Sequence, residues 1–479
     1  MTPAVLIGKG RALSIRLLEG THSAGVPIFV QLYTQLREHI LTGVLRPESR
    51  LPSSRMLAAD LGISRNTVEA AYQQLQAEGF TQSRIGAGTV VAATIADVVP
   101  FRRQAGMVHA SRVRSALQSP SCVAARLSSR GSTLVRLGEA ELVADRYNGA
   151  YLTDVERFPA KLWNRLLARQ ARRGGAVLFR PGDPRGTLAL RRAIAEYAQL
   201  SRGVRCDAEQ VVIVNSTQQA VDLAGRILLD PNDLAVIEDP AYPSARSALQ
   251  AIGARLHAVP VDDEGLVTAH LSLTRDPKLL YVTPSHQFPL GVTMSLPRRL
   301  AVLTWAAANG VWILEDDYDS EFHYAGRPIA ALQGLDRSGR VLYVGTFNKV
   351  LFPGLRIAYL IVPPELVGPF VATRRLTDGV SSPLTQAVLA EFISGGFLAA
   401  HLRFARQHYA LRRNALVKAI DQHWGAAARL GPSKTGLHLV AHFADGTDDG
   451  KLTTCLPDTL GVGLGALSQR SRRLFGANP

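Results

Sequence analysis

The chain has 479 residues, of which 47% are hydrophobic and 19% charged, so it is not a largely disordered protein. At roughly 150 residues each, this length predicts about three folding units. Its 54 Lys and Arg exceed its 39 Asp and Glu by 15, a balance typical of proteins that bind nucleic acid. Three cysteines argue against a disulfide framework and a metal cluster, and no apolar run reaches the roughly 18 to 20 residues that cross a bilayer. The composition predicts a cytoplasmic, multi-domain protein without a bound metal or a membrane segment.

The positive charge is concentrated near the N-terminus, where residues 1–130 hold fifteen Lys and Arg against seven Asp and Glu. Residues 98–136 contain seven arginines, no acid and several Ser-rich pieces, without a sustained apolar period. We interpret residues 93–136 as a basic linker between a domain at 26–92 and a body at 137–479. Two roles for this linker stay open: a purely solvated connection, and a segment that lies close to DNA.

Three short helices are predicted in the first domain. Leu32, Leu36 and Ile40 form the apolar stripe of the first helix. The second helix runs over 54–61 and the third from 64 to 78; each begins at a serine suited to cap it, and a glycine turn separates them. Two short helices joined in this way are typical of a helix-turn-helix.

The third helix carries polar residues in its first turn, the part of a recognition helix that reaches base edges. Arginine and asparagine there pair bidentately with guanine and adenine. Short β-prone segments at 80–91 predict a wing hairpin whose tip approaches the sugar-phosphate backbone, whereas Tyr72 and Leu75 are expected in the core. The candidate contacts with double-stranded DNA in helices and wing are Arg55, Ser64, Arg65, Asn66, Thr67, Arg84, Gly86 and Gly88.

Beyond residue 180 the pattern alternates apolar strands with helices, which predicts an α/β body with a mainly parallel sheet. In such a sheet, ligands bind beyond the carboxyl ends of the strands, and a polar cluster follows each of these segments. The predicted strands are 211–214, 234–237, 279–282, 311–314 and 341–344.

The polar clusters contain what pyridoxal 5′-phosphate needs. The Lys349 amine is suited to form a Schiff base with the cofactor's aldehyde, Asp316 to face the pyridine nitrogen, and Tyr318 to bind the 3′-oxygen. Tyr242 is suited to stack on the ring. The candidate phosphate ligands are Ser216, Thr217, Gln218, Thr346 and Arg356. Lys349 is also the candidate catalytic residue.

Two parts of the chain resemble known families. The strings LPSSR at 51–55, SRNTV at 64–68 and EGF at 78–80 resemble the GntR-type winged helix-turn-helix. The Asp-x-Tyr and Gly-Thr-Phe-x-Lys patterns resemble fold-type I, class I aminotransferases. More closely, TPSHQFPLG at 283–291 and EDDYDSEF at 315–322 resemble the MocR/GabR regulators, which fuse these two domains in this order.

The resemblance implies the same cofactor roles for the same residues, and it places either His286 or Gln287 on the 3′-oxygen side. It also implies a domain-swapped homodimer and control of genes of amine, amino-acid or vitamin metabolism. An amino compound is expected to act as effector by forming an external aldimine in place of the Lys349 linkage.

The sequence departs from the family pattern at several positions. Asn348 stands where serine is usual, Thr217 where glycine is usual, and Pro181 where a tyrosine that reaches the partner subunit is frequent. The C-terminal subdomain is short, and the arginine expected to hold an effector carboxylate falls near Arg470. The alternative, that this residue is only a tail arginine, stays open.

Three functions are therefore weighed. The first is a pyridoxal-phosphate-dependent transcriptional regulator that senses an amino compound. The second is an active aminotransferase with an appended DNA-binding domain. The third is a DNA-binding protein whose body has lost the cofactor. The persistence of Lys349, Asp316, Tyr318 and Arg356 argues against the third, and the basic winged domain favours the first over the second.

Overall fold

A computed structural model describes residues 4–7, 11–15, 17, 27–84, 88–93, 127–145, 153–325, 330–444 and 447. The chain divides into two compact units, Met1–Ala125 and Arg126–Pro479. We describe each unit by itself.

The first unit is a winged helix-turn-helix preceded by a β-hairpin. Its elements in chain order are β1 (Ala4–Ile7), β2 (Arg11–Ser14), α1 (Ile28–Leu41), α2 (Ser54–Leu61), α3 (Arg65–Ala77), β3 (Thr81–Arg84) and β4 (Gly88–Val91). The β1–β2 hairpin lies before the predicted start of the domain at residue 26, and Ile15 directly after it is fully buried in the domain core. The domain is therefore larger than its helical pattern indicated.

Local signals explain where the helices of this unit begin and end. The Ser53 hydroxyl accepts a hydrogen bond from the backbone N–H of Met56, and the Ser64 hydroxyl accepts one from that of Thr67. Gly62 ends α2 in the left-handed conformation, at φ 66°. Tyr72 is 7% exposed and donates its hydroxyl to the Pro52 carbonyl at 2.9 Å, so it belongs to the core as predicted.

The second unit is a three-layer α/β domain. Its helices are α4 (Ser129–Asp145), α5 (Ala160–Gly174), α6 (Leu188–Arg202), α7 (Thr217–Leu228), α8 (Pro243–Ala251), α9 (Leu296–Asn309), α10 (Leu332–Leu335), α11 (Pro364–Thr377), α12 (Pro383–Ser394) and α13 (Phe397–Trp424). Its strands are β5 (Val211–Val214), β6 (Leu234–Asp239), β7 (Arg255–Asp262), β8 (Gly265–Leu266), β9 (Pro277–Val282), β10 (Trp312–Asp317), β11 (Val341–Thr346), β12 (Ala358–Ile361), β13 (Ala428–Leu430) and β14 (Ala441–Phe443).

Eight strands form one sheet in the order β5-β12-β11-β10-β9-β6-β7-β8. The neighbours from β11 to β7 are parallel, while β12 runs antiparallel to β11 and β5, so the sheet is mainly parallel as predicted. Its central strands are apolar on both faces because apolar clusters cover each side, two clusters on one face and one on the other. The carboxyl ends of β6, β9, β10 and β11 meet at one edge, which positions the site.

The sequence interpretation of residues 93–136 differs from the structure at its C-terminal end. Helix α4 begins at Ser129, inside the segment interpreted as a linker without regular structure, and it packs on α8. No apolar period marks its first part in the sequence, because most of the described side chains at 129–139 are exposed.

Among the described residues, no single helix is both long and apolar enough to cross a membrane. By length and composition, α12 together with residues 397–427 would be long and apolar enough, but this pair is bent by 74°.

Candidate functional site

Asp316 and Asp317 lie at the carboxyl end of β10 and point to opposite faces of the sheet, as successive strand residues do. Asp316 is 3% exposed, and its Oδ2 accepts a 2.6 Å hydrogen bond from the hydroxyl of Tyr281 on the neighbouring strand β9. Its Oδ1 is also buried and has no hydrogen-bond partner among the described residues. An acceptor oxygen is therefore left at the bottom of the site.

Burial raises the pKa of Asp316 to about 7, although the Tyr281 hydroxyl acts to lower it. A protonated pyridine nitrogen at Oδ1 would supply the missing donor and the opposite charge. The residues present therefore fit pyridoxal phosphate at its ring nitrogen.

Lys349 is half-buried in the loop after β11, three residues beyond Thr346, which ends this strand and is 6% exposed. Asp317 is paired in register with Gly345, so the end of β10 lies next to the start of this loop. The parallel pairing of β10 and β11 thus brings Asp316 and Lys349 to the same edge of the sheet.

Asn348, the departure beside the lysine, connects two loops. Its Nδ2 donates to the Asn215 carbonyl at 3.1 Å, and its Oδ1 accepts from the Ile357 backbone N–H at 2.9 Å. A serine is too short to span both contacts. Asn348 therefore ties the lysine loop to the loop that precedes α7.

The candidate phosphate ligands lie around the N-terminus of α7. Ser216 caps this helix, since its hydroxyl accepts from the Gln219 backbone N–H at 3.1 Å. Thr217 is half-buried and Gln218 exposed. The exposed Arg356 has a left-handed backbone, at φ 53°, two residues before a strand paired with both β5 and β11. A helix N-terminus and an arginine at one edge of the sheet are suited to a phosphate.

The structure distinguishes His286 from Gln287, the two residues that the resemblance left as alternatives. The Tyr318 hydroxyl lies 3.1 Å from Nδ1 of His286. The Gln287 amide instead donates to the Pro240 and Phe288 carbonyls, each at 2.8 Å. His286 is therefore the residue beside Tyr318. The Phe288 ring connects Tyr242 to Tyr318, because both tyrosine rings contact it edge-on.

Sequence reasoning missed the buried groups behind these residues. Glu238 is the penultimate residue of β6, is 1% exposed, and accepts from the Thr283 hydroxyl through Oε2 at 2.6 Å. Burial raises the pKa of Glu238 to about 7. Glu238 stands directly after the predicted strand 234–237, and Tyr281 lies inside the apolar strand 279–282, so their spacing in the chain gives no signal of a shared site.

We expect Glu238 to make the protein less stable as pH rises. Its folded pKa lies above its ordinary value of 4.5, so the folded state binds the extra proton between pH 4.5 and about 7. Glu238→Gln removes this effect, and the stability of wild type relative to the variant should fall by about 3 kcal/mol from pH 5 to pH 8.

Urea unfolding followed by tryptophan fluorescence measures this difference, because all four tryptophans lie in the larger unit. The buried acids present in both proteins cancel in the comparison. A constant difference across the pH range would contradict the account.

The candidate recognition helix presents its first turn to solvent. Arg65 and Asn66 are exposed, Thr67 is half-buried and hydrogen-bonded to Ser64, and Arg55 is exposed on α2. The Arg65 Nε donates to Glu69 at 2.7 Å, and Glu69 also accepts from the Ser54 hydroxyl at 3.1 Å. Glu69 therefore orients Arg65 on the helix surface.

The wing is formed by the two antiparallel strands β3 and β4, and Arg50 forms an isolated β-bridge with Val90 of β4. Gly88 has a positive φ of 77°, and a Cβ there would lie 3.4 Å from the Arg50 guanidinium, so Arg50 is a further cation at the wing. The Arg84 side chain, Gly86 and Arg470 lie outside the described residues.

The comparisons with known proteins agree with this architecture. Residues 29–91 match the model of the bacterial regulatory proteins of the gntR family, and residues 148–452 match that of aminotransferase class I and II. The fold and the site define a winged helix-turn-helix regulator with an aminotransferase-type body.

Three proteins illustrate the similarity. The probable rhizopine catabolism regulatory protein MocR of Rhizobium meliloti is 41% identical over 89% of this chain and 84% of its own. The pyridoxine biosynthesis transcriptional regulator PdxR of Corynebacterium glutamicum is 30% identical over 90% and 86%. The α-aminoadipate aminotransferase LysN of Thermus thermophilus, complexed with N-(5′-phosphopyridoxyl)-L-leucine, superposes with a TM-score of 0.59 at 29% identity, over 63% and 78%. The chain belongs to the MocR-type transcriptional regulators.

Proposed function

We propose that this regulator carries pyridoxal 5′-phosphate on Lys349 and uses it to sense an amino compound. The observation that supports this most strongly is the buried Oδ1 of Asp316, which has no hydrogen-bond partner within the described part of the chain and lies at the edge of the sheet that also carries Lys349. When bound, the cofactor supplies an aldehyde that exchanges between amines and a ring that withdraws electrons.

Different residues of the site hold different parts of the cofactor. Lys349 holds it by its amine, Asp316 keeps its ring nitrogen protonated, and Tyr318 donates to its 3′-oxygen. Tyr242 covers the ring. The phosphate is held at the α7 N-terminus and by its neighbours, namely Ser216, Thr217, Gln218, Thr346 and Arg356.

An amino effector that displaces Lys349 frees a lysine amine inside the site. Such a ligand shifts the protein between two states only by its difference in affinity for them. We expect Arg470 to bind a carboxylate of the effector. We also expect the protein to act in the cytoplasm as a domain-swapped homodimer.

At the DNA, the proposed base contacts come from Arg65 and Asn66, with Arg55, Ser64 and Thr67 nearby, while Arg84, Gly86 and Gly88 form the wing contact. Arg65→Ala is expected to weaken binding to a specific operator by about 1–3 kcal/mol at one base position. Fluorescence anisotropy with an operator selected from a random DNA pool, against a scrambled duplex, measures this effect. An equal loss on both duplexes would contradict a base-reading role.

The proposed function is tested by operator binding of the cofactor-loaded protein in the presence of a panel of amino compounds. We expect at least one amine to change the operator affinity of wild type and to leave that of Lys349→Ala unchanged. A response that persists in Lys349→Ala would contradict sensing through this lysine. Repeated conversion of the amine with a 2-oxo acid would favour the alternative, an active aminotransferase.

A further inference from the structure

The side chain behind Tyr318 is His286, which is 2% exposed and faces a buried carboxylate. Its Nδ1 lies 3.0 and 3.1 Å from the two carboxylate oxygens of Asp319 and 3.1 Å from the Tyr318 hydroxyl. The ring of His438 lies 4.6 Å away, centroid to centroid. Asp319, Tyr318 and His438 are the titratable groups that face the imidazole among the described residues.

We propose that His286, with its proton fixed on Nδ1 by Asp319, is a positioning residue that aims the hydroxyl proton of Tyr318 at the cofactor's 3′-oxygen. The inference rests on the proposed function, because it needs pyridoxal phosphate in the site. It concerns a residue behind the group that contacts the cofactor.

Two observations assign the proton to Nδ1. An ionised carboxylate only accepts hydrogen bonds, so the nitrogen facing Asp319 has to donate. The opposite nitrogen, Nε2, is buried without a hydrogen-bond partner among the described residues. A proton on Nε2 would leave a buried N–H unsatisfied and would leave Asp319 facing a lone pair, so this tautomer is disfavoured.

The tautomer decides what the Tyr318 hydroxyl does. A protonated Nδ1 cannot accept from the phenol, so its N–H is shared between Asp319 and the Tyr318 oxygen. The phenol then accepts from His286 and donates its own proton to an acceptor other than Nδ1. With the other tautomer, the phenol would donate its proton to Nδ1 and could not donate it to the cofactor.

The surroundings hold the imidazole in this orientation. Gly436 and Gly291 both have positive φ, at 81° and 73°, and their backbones pack against the ring edge. A Cβ at Gly436 would overlap the imidazole. Asp319 is fixed as well, because its Oδ2 accepts from the Leu437 backbone N–H at 3.0 Å. The backbone of the two glycines therefore orients the imidazole of His286, and the Leu437 N–H orients the carboxylate of Asp319.

Two amide variants separate this role from simple space filling. Asn places an N–H where His286 has Nδ1, whereas Gln places one where it has Nε2. We expect His286→Asn to behave as wild type and His286→Gln to lose the orientation of Tyr318. Asp319→Asn changes the group that faces Nδ1 of His286. Its amide N–H can donate to Nδ1, which favours a His286 proton on Nε2.

The readout is the pH dependence of the absorbance of the bound cofactor. A donor at the 3′-oxygen stabilises negative charge there and favours loss of the proton that this oxygen shares with the Lys349 nitrogen. Tyr318→Phe, which removes the donor, is expected to raise the pH midpoint by about one unit, the size of one hydrogen bond to a charged group. His286→Gln and Asp319→Asn should raise the pH midpoint by a similar amount. His286→Asn should raise it by less than a third of that amount.

The double variant His286→Gln with Tyr318→Phe should shift the midpoint no further than Tyr318→Phe alone, because both act through one hydrogen bond. Tryptophan fluorescence checks that each protein is folded, and Asp319→Asn carries the test if His286→Gln does not fold. Equal midpoints for the Asn and Gln variants, or additive shifts in the double variant, would overturn the inference while leaving the proposed function intact. A wild-type protein without a cofactor absorbance band would overturn both.

Discussion

Asp316→Asn is expected to weaken binding of pyridoxal phosphate about ten- to a hundredfold. The variant keeps the size of the side chain but removes the charge that pairs with a protonated pyridine nitrogen, and a buried charge-assisted hydrogen bond has this magnitude. Titration of the cofactor-free protein, followed by the absorbance of the bound cofactor, gives the dissociation constants.

Glu238→Gln is the matched control, because it removes a second buried acid whose pKa is also raised to about 7 but which lies on a different strand, β6. We expect its cofactor affinity to stay within about threefold of wild type, since no hydrogen bond to the ring is lost. Equal losses in the two variants would mean that general electrostatics, and not a contact at Oδ1, holds the ring.

Arg202→Met is expected to destabilise the larger unit by about 3–5 kcal/mol, the cost of leaving a buried carboxylate without its cation. The Arg202 Nε donates to Asp317 at 2.7 Å, and the two side chains are 4% and 1% exposed. Burial acts to raise the pKa of Asp317, but Arg202 and the Tyr343 hydroxyl outweigh it and hold the pKa below its ordinary value. This stabilisation is present at neutral pH and is lost as the pH falls.

The control for this prediction is Arg226→Met, which removes the exposed pair of Arg226 with Asp222 on α7, also at 2.7 Å. Exposed pairs contribute about 0–1 kcal/mol, so the two variants should differ severalfold in their effect on urea unfolding. A small loss in Arg202→Met, comparable with that of the control, would contradict a structural role for the buried pair.

The adjacent acids Asp316 and Asp317 show what the sequence could and could not predict. The strand and its polar end were predicted from the apolar run and the residues after it, and the parallel sheet then places that end at a ligand-binding edge. The buried partner Arg202 is 115 positions away in the chain, and Tyr281 lies 35 positions away inside an apolar strand. Spacing along the chain carries no information about such pairs, which form only when strands and helices pack.

The helices of the first domain were predicted well because their signals are local. Ser64 and Gly62 act on the neighbouring turn of backbone, so the sequence alone locates the boundary between α2 and α3. The β1–β2 hairpin and the extra wing cation Arg50 depend on pairing between separate segments. The role of Asn348 was missed for the same reason, since its partners Asn215 and Ile357 become neighbours only in the sheet.

The most direct test of the central claim is borohydride reduction of the full-length protein loaded with pyridoxal phosphate, followed by digestion and mass mapping. Reduction fixes the cofactor on the nitrogen that holds it. We predict the phosphopyridoxyl group on the peptide that contains Lys349, and a loss of the visible absorbance band. A cofactor fixed on another lysine, or none fixed at all, would contradict the assignment of this site and, with it, the proposed mode of sensing.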